Sequence, residues 1–135
     1  MKVTLELVDP ESARDAVILY KLLGERKPWQ SISHKKMPTL DDHWDFVKSE
    51  PYRVWYLIQT DDVVAGCIYL TNEREIGISI FEKMKGKGIG SEAVRLMMDL
   101  YDGPIYANIN PLNDASREFF TKMGFVPLQV TYVYE

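Results

Sequence analysis

A run of alternating glycines, Gly86-Lys87-Gly88-Ile89-Gly90, separates an apolar stretch from an amphipathic one. Upstream, Glu75–Phe81 has the composition of a strand, and the loop Glu82-Lys83-Met84-Lys85 follows it. Downstream, the spacing predicts a helix from about Gly88 to Asp102. Glycine lets a chain turn without Cβ clashes and lets successive N–H groups crowd around one point. The N-terminus of the following helix adds partial positive charge to that point. The sequence therefore predicts a phosphate cradle at a strand–loop–helix seam, reinforced by the loop lysines.

The 135 residues suit one domain spanning 1–135, with enough chain for a sizeable core. A net charge of −4 argues against a broad nucleic-acid footprint, although Lys83, Lys85 and Lys87 form a local positive cluster. The single cysteine, Cys67, excludes intramolecular disulfides and cysteine-rich zinc sites. Two histidines without cysteine pairs make a poor metal site, so no metal is expected. No apolar run approaches bilayer length and the N-terminus carries no signal-peptide pattern, so the expected compartment is cytoplasmic.

Along the chain, Lys2–Val8 alternates as a half-buried strand. Asp9-Pro10 then offers an N-cap and a first-turn proline for a helix. Its expected inner face is Ala13, Ala16, Val17, Tyr20 and Leu23, with Gly24 as its stop. Periodicity is lost from Glu25 to Pro38, a length at which irregular loops are often functional. Thr39 can cap a second helix through Ser49. Strands are predicted at Tyr52–Thr60, Val63–Leu70 and Glu75–Phe81, the first two joined by an Asp61-Asp62 hairpin. The helix after the glycines presents Ile89, Ala93, Leu96 and Leu100 on one side. Ile105–Ile109 suits a central strand. Asn113 is placed to cap a last helix to Met123, and Phe125–Tyr134 closes the chain as strand. The order β-α-α-β-β-β-α-β-α-β predicts an α+β fold, a mixed and mostly antiparallel sheet flanked by helices.

Three phosphate motifs compete for the glycine loop. The P-loop spacing is absent, since no Lys-Ser pair follows the last glycine. The dinucleotide fingerprint requires G-x-G-x-x-G, usually in a first βαβ unit, whereas here the glycines alternate and several strands precede them. The run Lys85-Gly-Lys-Gly88-Ile-Gly90 resembles the [Q/R]-x-x-G-x-[G/A] signature of the GNAT superfamily of acyl-CoA-dependent N-acetyltransferases, with Lys85 where Gln or Arg is usual. A second stretch, Asn113-Asp-Ala-Ser116-Arg-Glu-Phe-Phe120-Thr-Lys-Met-Gly124-Phe125, resembles that family's N-x-x-[A/S]-x-x-x-[Y/F]-x-k-x-G-F pattern. The resemblance runs from about Tyr52 to the C-terminus; the first fifty residues match only in layout.

The resemblance implies acetyl-CoA as the acyl donor, held by Ile78, Ser79 and Ile80 on the strand and by Lys85, Gly86, Lys87, Gly88, Ile89, Gly90 and Ser91 in the loop and first helical turn. Asn113, Ser116 and Phe120 of the second motif join this set. Pantetheine would run beside the strand as an extra strand, and the Ile80 N–H would polarise the thioester carbonyl. Helical spacing puts Ala115, Phe119 and Met123 on one face, expected in the core, and Ser116 and Phe120 on the next, toward the donor.

The resemblance also implies direct attack by an amine in a ternary complex. An alkyl amine with a pKa near 10.4 is mostly protonated at neutrality, so a base or water chain is needed. Glu75, at the start of the strand, is one candidate, against a solvated carboxylate beside Arg74. His43 is a second, against an ordinary surface histidine. The family's usual acid is the motif tyrosine. Phe120 occupies that position and has no proton to give, which leaves Tyr106, Tyr132 or water. Asn110 and Asn113 are placed to aim amides at the cleft, although Asn113 is also a good cap. Trp29, Met37, Trp44 and Tyr52 form a loose set near the presumed acceptor entrance.

The expected function is acetyl transfer to the primary amine of a small molecule, an amino sugar or a polyamine. Phe120 motivates an alternative, a coenzyme A-binding module without turnover; protein N-terminal acetylation is a third reading. No nucleic-acid or membrane partner is expected, and the oligomeric state is left as monomer or homodimer.

Overall fold

The computed structural model describes residues 1–26 and 36–135. The chain order is β1 (Val3–Leu7), α1 (Ala13–Gly24), α2 (Leu40–Lys48), β2 (Val54–Thr60), β3 (Val63–Leu70), β4 (Glu75–Ile80), α3 (Ile89–Leu100), β5 (Tyr106–Ala107) and α4 (Asp114–Lys122). The five strands form one sheet in the order β1-β2-β3-β4-β5. The first four pair antiparallel, and β5 pairs parallel to β4 after the α3 crossover. This is the α+β architecture the sequence predicts. Most of the loop expected from Glu25 to Pro38, with Trp29 and His34, lies outside the described residues.

Strand alternation builds a core on each face of the sheet. Ile58, Ile68, Leu70 and Ile76 meet Ile89, Ala93, Val94 and Met97 of α3 and Phe120 of α4 on one side. Leu57 and Cys67 meet Leu19 and Leu22 of α1 and Val47 of α2 on the other. The β2–β3 hairpin turns through Asp61 and Asp62 at φ 44° and 69°, the left-handed geometry of a two-residue turn that matches strand twist. The β2–β3 register slips at Ile58/Gln59, which leaves Ala65 as an extra residue on β3.

Several expectations are corrected. The α1 cap is Ser12, whose side chain accepts from the Asp15 amide; Asp9 instead accepts from the Glu11 amide and forms the lead-in turn. The buried face of α1 is Ala16, Leu19 and Leu22, with Val17 outside. On α3 the buried stripe is Ile89, Ala93, Val94 and Met97, while Leu100 is exposed near the helix end. β5 holds the edge of the sheet, not its centre, because no strand follows it: residues 126–135 form neither helix nor strand. Phe120 is buried in the α3-side core, with Phe119 and Phe125 each 5.0 Å away between ring centroids. Ala115, expected inside, is exposed.

Candidate acyl-donor site and acceptor face

The chain leaves β4 through a short 3-10 turn, Glu82–Met84, and reaches α3 through the glycines. Gly86 and Gly88 both stand at φ 78°, where a side chain would be strained. A Cβ built on either meets nothing within 4 Å, so the missing side chains leave open space above the loop. Gly88 is the N-cap of α3 and offers no side-chain acceptor, so the first-turn amides of Ile89, Gly90 and Ser91 face outward from the helix start. Gly90 has a packing role: a Cβ there would sit 3.4 Å from the Phe119 ring, which sets how closely α4 approaches α3. Lys85 pairs with Glu82 at 2.9 Å on the surface, beside the exposed Lys83 and Lys87. These features fit a diphosphate, with main-chain donors at the centre and lysines at the rim.

β4 carries the second half of the site. Phe81 donates to the Ala65 carbonyl at 2.8 Å, and Thr71 donates to the Glu75 carbonyl at 2.9 Å. Alternation along an antiparallel ladder therefore turns the amides of Gly77, Ser79 and Phe81 toward β3 and those of Ile76, Ile78 and Ile80 toward β5. β5 pairs only at Glu75 and Ile76. Beyond that point the strands part, with the Ile78 and Ile80 amides on the parting side. β3 holds β4 closely here. A Cβ on Gly66 would stand 2.0 Å from the Ser79 carbonyl oxygen and 3.0 Å from Ile80 Cα.

On the α1–α2 face of β4 stand Glu75, Gly77 and Ser79. Glu75 accepts from Asn108 Nδ2 at 2.6 Å. Its expected neighbour Arg74 turns away to the Asp102 and Pro104 carbonyls, fastening the β4 turn to the α3–β5 connection. The Tyr69 ring covers Gly77 and stacks on Tyr52, with centroids 3.8 Å apart and planes at 3°. Burial raises the acidity constants of both phenols, so both stay protonated. Arg26 Nη2 donates to Ser79 Oγ at 2.8 Å. The guanidinium and the Glu75 carboxylate both lie within electrostatic reach of Tyr69. Cys67, fully buried behind this face, has its thiol acidity suppressed by burial.

The remaining expected residues are scattered. His43 is not a surface residue: it is buried, its ring 5.5 Å from Tyr20 of α1. The Asn113 carboxamide oxygen caps α4 by accepting from the Ser116 amide at 3.1 Å, and that of Asn110 accepts from the Leu112 amide. Trp44 donates to the Pro10 carbonyl at 3.4 Å, and Met37 is partly exposed. Tyr106 is exposed on β5 in register with Glu75, whereas Tyr132 lies on the exposed tail. Arg26 and Tyr69 were not anticipated. Tyr69 was legible in principle, since an aromatic beside a strand glycine is a common way to fill the gap. Arg26 carries no pattern, because its role comes from a contact across 53 residues.

The sequence pattern of the acetyltransferase (GNAT) domain matches residues 4–126. No curated protein matches at a significant level. Among solved structures, an acetyltransferase from Thermus thermophilus is 22% identical, with 93% of this chain and 88% of that one covered at a TM-score of 0.74. RimL, a ribosomal alpha-N-protein acetyltransferase in complex with coenzyme A, is 20% identical, with coverage of 91% and 79% and a TM-score of 0.72. A mutant of the spermidine N-acetyltransferase SpeG from Vibrio cholerae is 17% identical, with coverage of 92% and 79% and a TM-score of 0.73. No helix among the described residues is long and apolar enough to cross a membrane. The domain match, the open glycine cradle and the parting of β4 from β5 lead to one conclusion: this chain belongs to the GNAT acetyltransferases.

Proposed function

We propose that this N-acetyltransferase moves the acetyl group of acetyl-CoA to the primary amine of a small molecule that also carries an anionic group, as a phosphorylated or nucleotide-linked amino sugar does. The observation that carries the donor half is the pair of left-handed glycines with open space above them, beside a strand whose outward amides face a gap. The diphosphate would lie on the amides between residues 86 and 91. The pantetheine arm would follow Ile78 and Ile80. An N–H from Ile80, or from Ile78 one repeat upstream, would hold the thioester carbonyl and stabilise negative charge as it develops there.

The acceptor half rests on the face that carries Glu75 and Arg26. A polyamine would meet the guanidinium as a like charge, whereas an anionic group would pair with it and leave the amine to approach the thioester. Glu75 is the proposed proton acceptor. At about 3.3 Å per residue its Cα is about 16 Å upstream of Ile80, so the amine proton must travel through water. Phe120 cannot protonate the departing thiolate. Tyr69, which keeps its proton, is the nearest phenol on this face; water is the other source.

Burial of Phe120 favours a second reading, a coenzyme A-binding protein without turnover. Free-thiol release from acetyl-CoA over an amine panel separates the two. Release that depends on the amine, and is lost together with acetyl-CoA binding in Gly88→Glu, supports transfer. Binding without release on any amine supports the second reading. A Gly88→Glu protein that binds as tightly as the parent removes the loop from the site.

A further inference from the structure

Beyond Phe125 the chain reads Val126-Pro-Leu-Gln-Val-Thr-Tyr-Val-Tyr-Glu135. Val126, Leu128, Val130, Tyr132 and Tyr134 recur at every second position, the pattern of a strand with one apolar face. They are between 74% and 101% exposed. Alternating side chains of this kind are not left in water by a stable fold without another surface to cover them. The root of the tail is fixed. Gly124 turns at φ 96°, the Phe125 amide donates to the Phe120 carbonyl at 2.9 Å, and the Phe125 ring packs on Phe120.

The same chain carries the matching surface. β5 is the outer strand of the sheet and has β4 on one side only. Ile105, Ala107 and Ile109 pack partly into the α3-side core, so the strand is oriented, and its outer main-chain groups form an open edge. One molecule thus holds both a strand without a sheet and a sheet edge without a strand, and keeps them apart. Two copies related by a two-fold axis satisfy both at once, because the donor and acceptor surfaces are then exchanged reciprocally. Neither element opposes this. From Phe125 to Tyr134, and from Ile105 to Ile109, there is no Lys, Arg, Asp or Glu. Area favours it too. At about 150–250 Å² per aromatic side chain, the two tail tyrosines from each of two copies bring roughly 600–1,000 Å². Val126, Leu128 and Val130 add to this, toward the roughly 1,200–2,000 Å² of a specific interface.

We propose that residues 126–134 of one molecule add as a strand to the β5 edge of a second copy, giving a strand-exchanged homodimer. The added strand would also brace the β5 wall at the point where β5 parts from β4. The proposal stands apart from the identity of the acceptor.

The test is the mass in solution combined with amide exchange. The full chain, measured by light scattering over the micromolar range, is expected at twice the 15.6 kDa of one molecule. Its 128–134 amides should be protected from exchange. In a mixture of isotope-labelled and unlabelled chains, cross-links between the tail and residues 105–109 should join one of each. Val130→Asp with Tyr132→Asp should halve the mass and remove the protection while leaving the circular dichroism of the body intact. A chain ending at Phe125 should also be a monomer, which guards against a misfolded double variant. A monomeric parent overturns the proposal, whether its tail is free or folded back on its own β5. So does a dimer whose tail exchanges freely, that survives truncation, or whose cross-links stay within one isotope.

Discussion

Tyr69 occupies the space that a side chain at residue 77 would need: a Cβ on Gly77 would lie 2.1 Å from Tyr69 Cζ and 2.4 Å from its hydroxyl oxygen. The glycine therefore seats the ring, and the ring in turn seats Tyr52 in a parallel stack. Gly77→Ala should drive Tyr69 off this seat. The cost expected for overpacking is about 1–3 kcal/mol, read as a lower urea midpoint, with a changed near-ultraviolet dichroism from the tyrosines. An unchanged midpoint and spectrum would mean that the ring moves freely.

Arg26 is the test of acceptor charge. Hydrogen bonds to charged groups contribute about 1.5–3 kcal/mol, so Arg26→Gln should raise KM for an anionic amine by roughly tenfold or more. KM for acetyl-CoA should stay the same. Equal effects on both substrates, or a gain only for polyamines, would place the guanidinium elsewhere in the reaction.

Glu75→Gln should lower kcat/KM by about a hundredfold at neutral pH, the lower range for loss of a general base. The deficit should shrink as the pH approaches about 10.4, where the amine sheds its proton without help. A deficit constant across the pH range would reduce Glu75 to a binding role. Asn108→Ala, which removes the amide that holds the carboxylate, should give a milder form of the same profile.

Tyr56 gives a test of stability. Burial, then its hydrogen bond with Tyr101, pushes the phenol up to about 12 from its ordinary 10.0. The folded state thus favours the protonated ring. This contribution is complete below pH 10 and disappears as the pH rises through about 12. Thermal unfolding of the parent should decline across that window, and Tyr56→Phe should decline less. Parallel curves would mean that Tyr56 contributes nothing to alkaline unfolding.

Local grammar was legible and distant contact was not. Asp61-Asp62, Thr39 and Asn113 each state their structure within a few residues, and each turn or cap formed where it was expected. Gly86 and Gly88 likewise carry their left-handed geometry in their identity. Periodicity alone was weaker. On α1 and α3 several apolar stripes compete, and the sheet decides which one is buried. Phe120 was drawn toward the donor by its motif and into the core by Phe119 and Phe125. The tail has the alternation of a strand, but alternation cannot supply a partner. In the site, the glycine loop and β4 came from the sequence, whereas Arg26 and Tyr69 arise only when α1 and β3 are folded against β4.

Gly66 extends the reach of the site into the middle of the sheet. Its missing methyl group lets the Ser79 carbonyl come within 2.0 Å of where that methyl would be, and both neighbours it would strike are backbone. Neither can swing aside as a side chain would. Any larger residue would shift β4 as a rigid rod, moving the thioester-polarising amide, the glycine turn and the start of α3 together. The reactive centre is thus calibrated from a residue that touches neither substrate, and fine adjustment of catalytic alignment during divergence would have to leave this one position untouched.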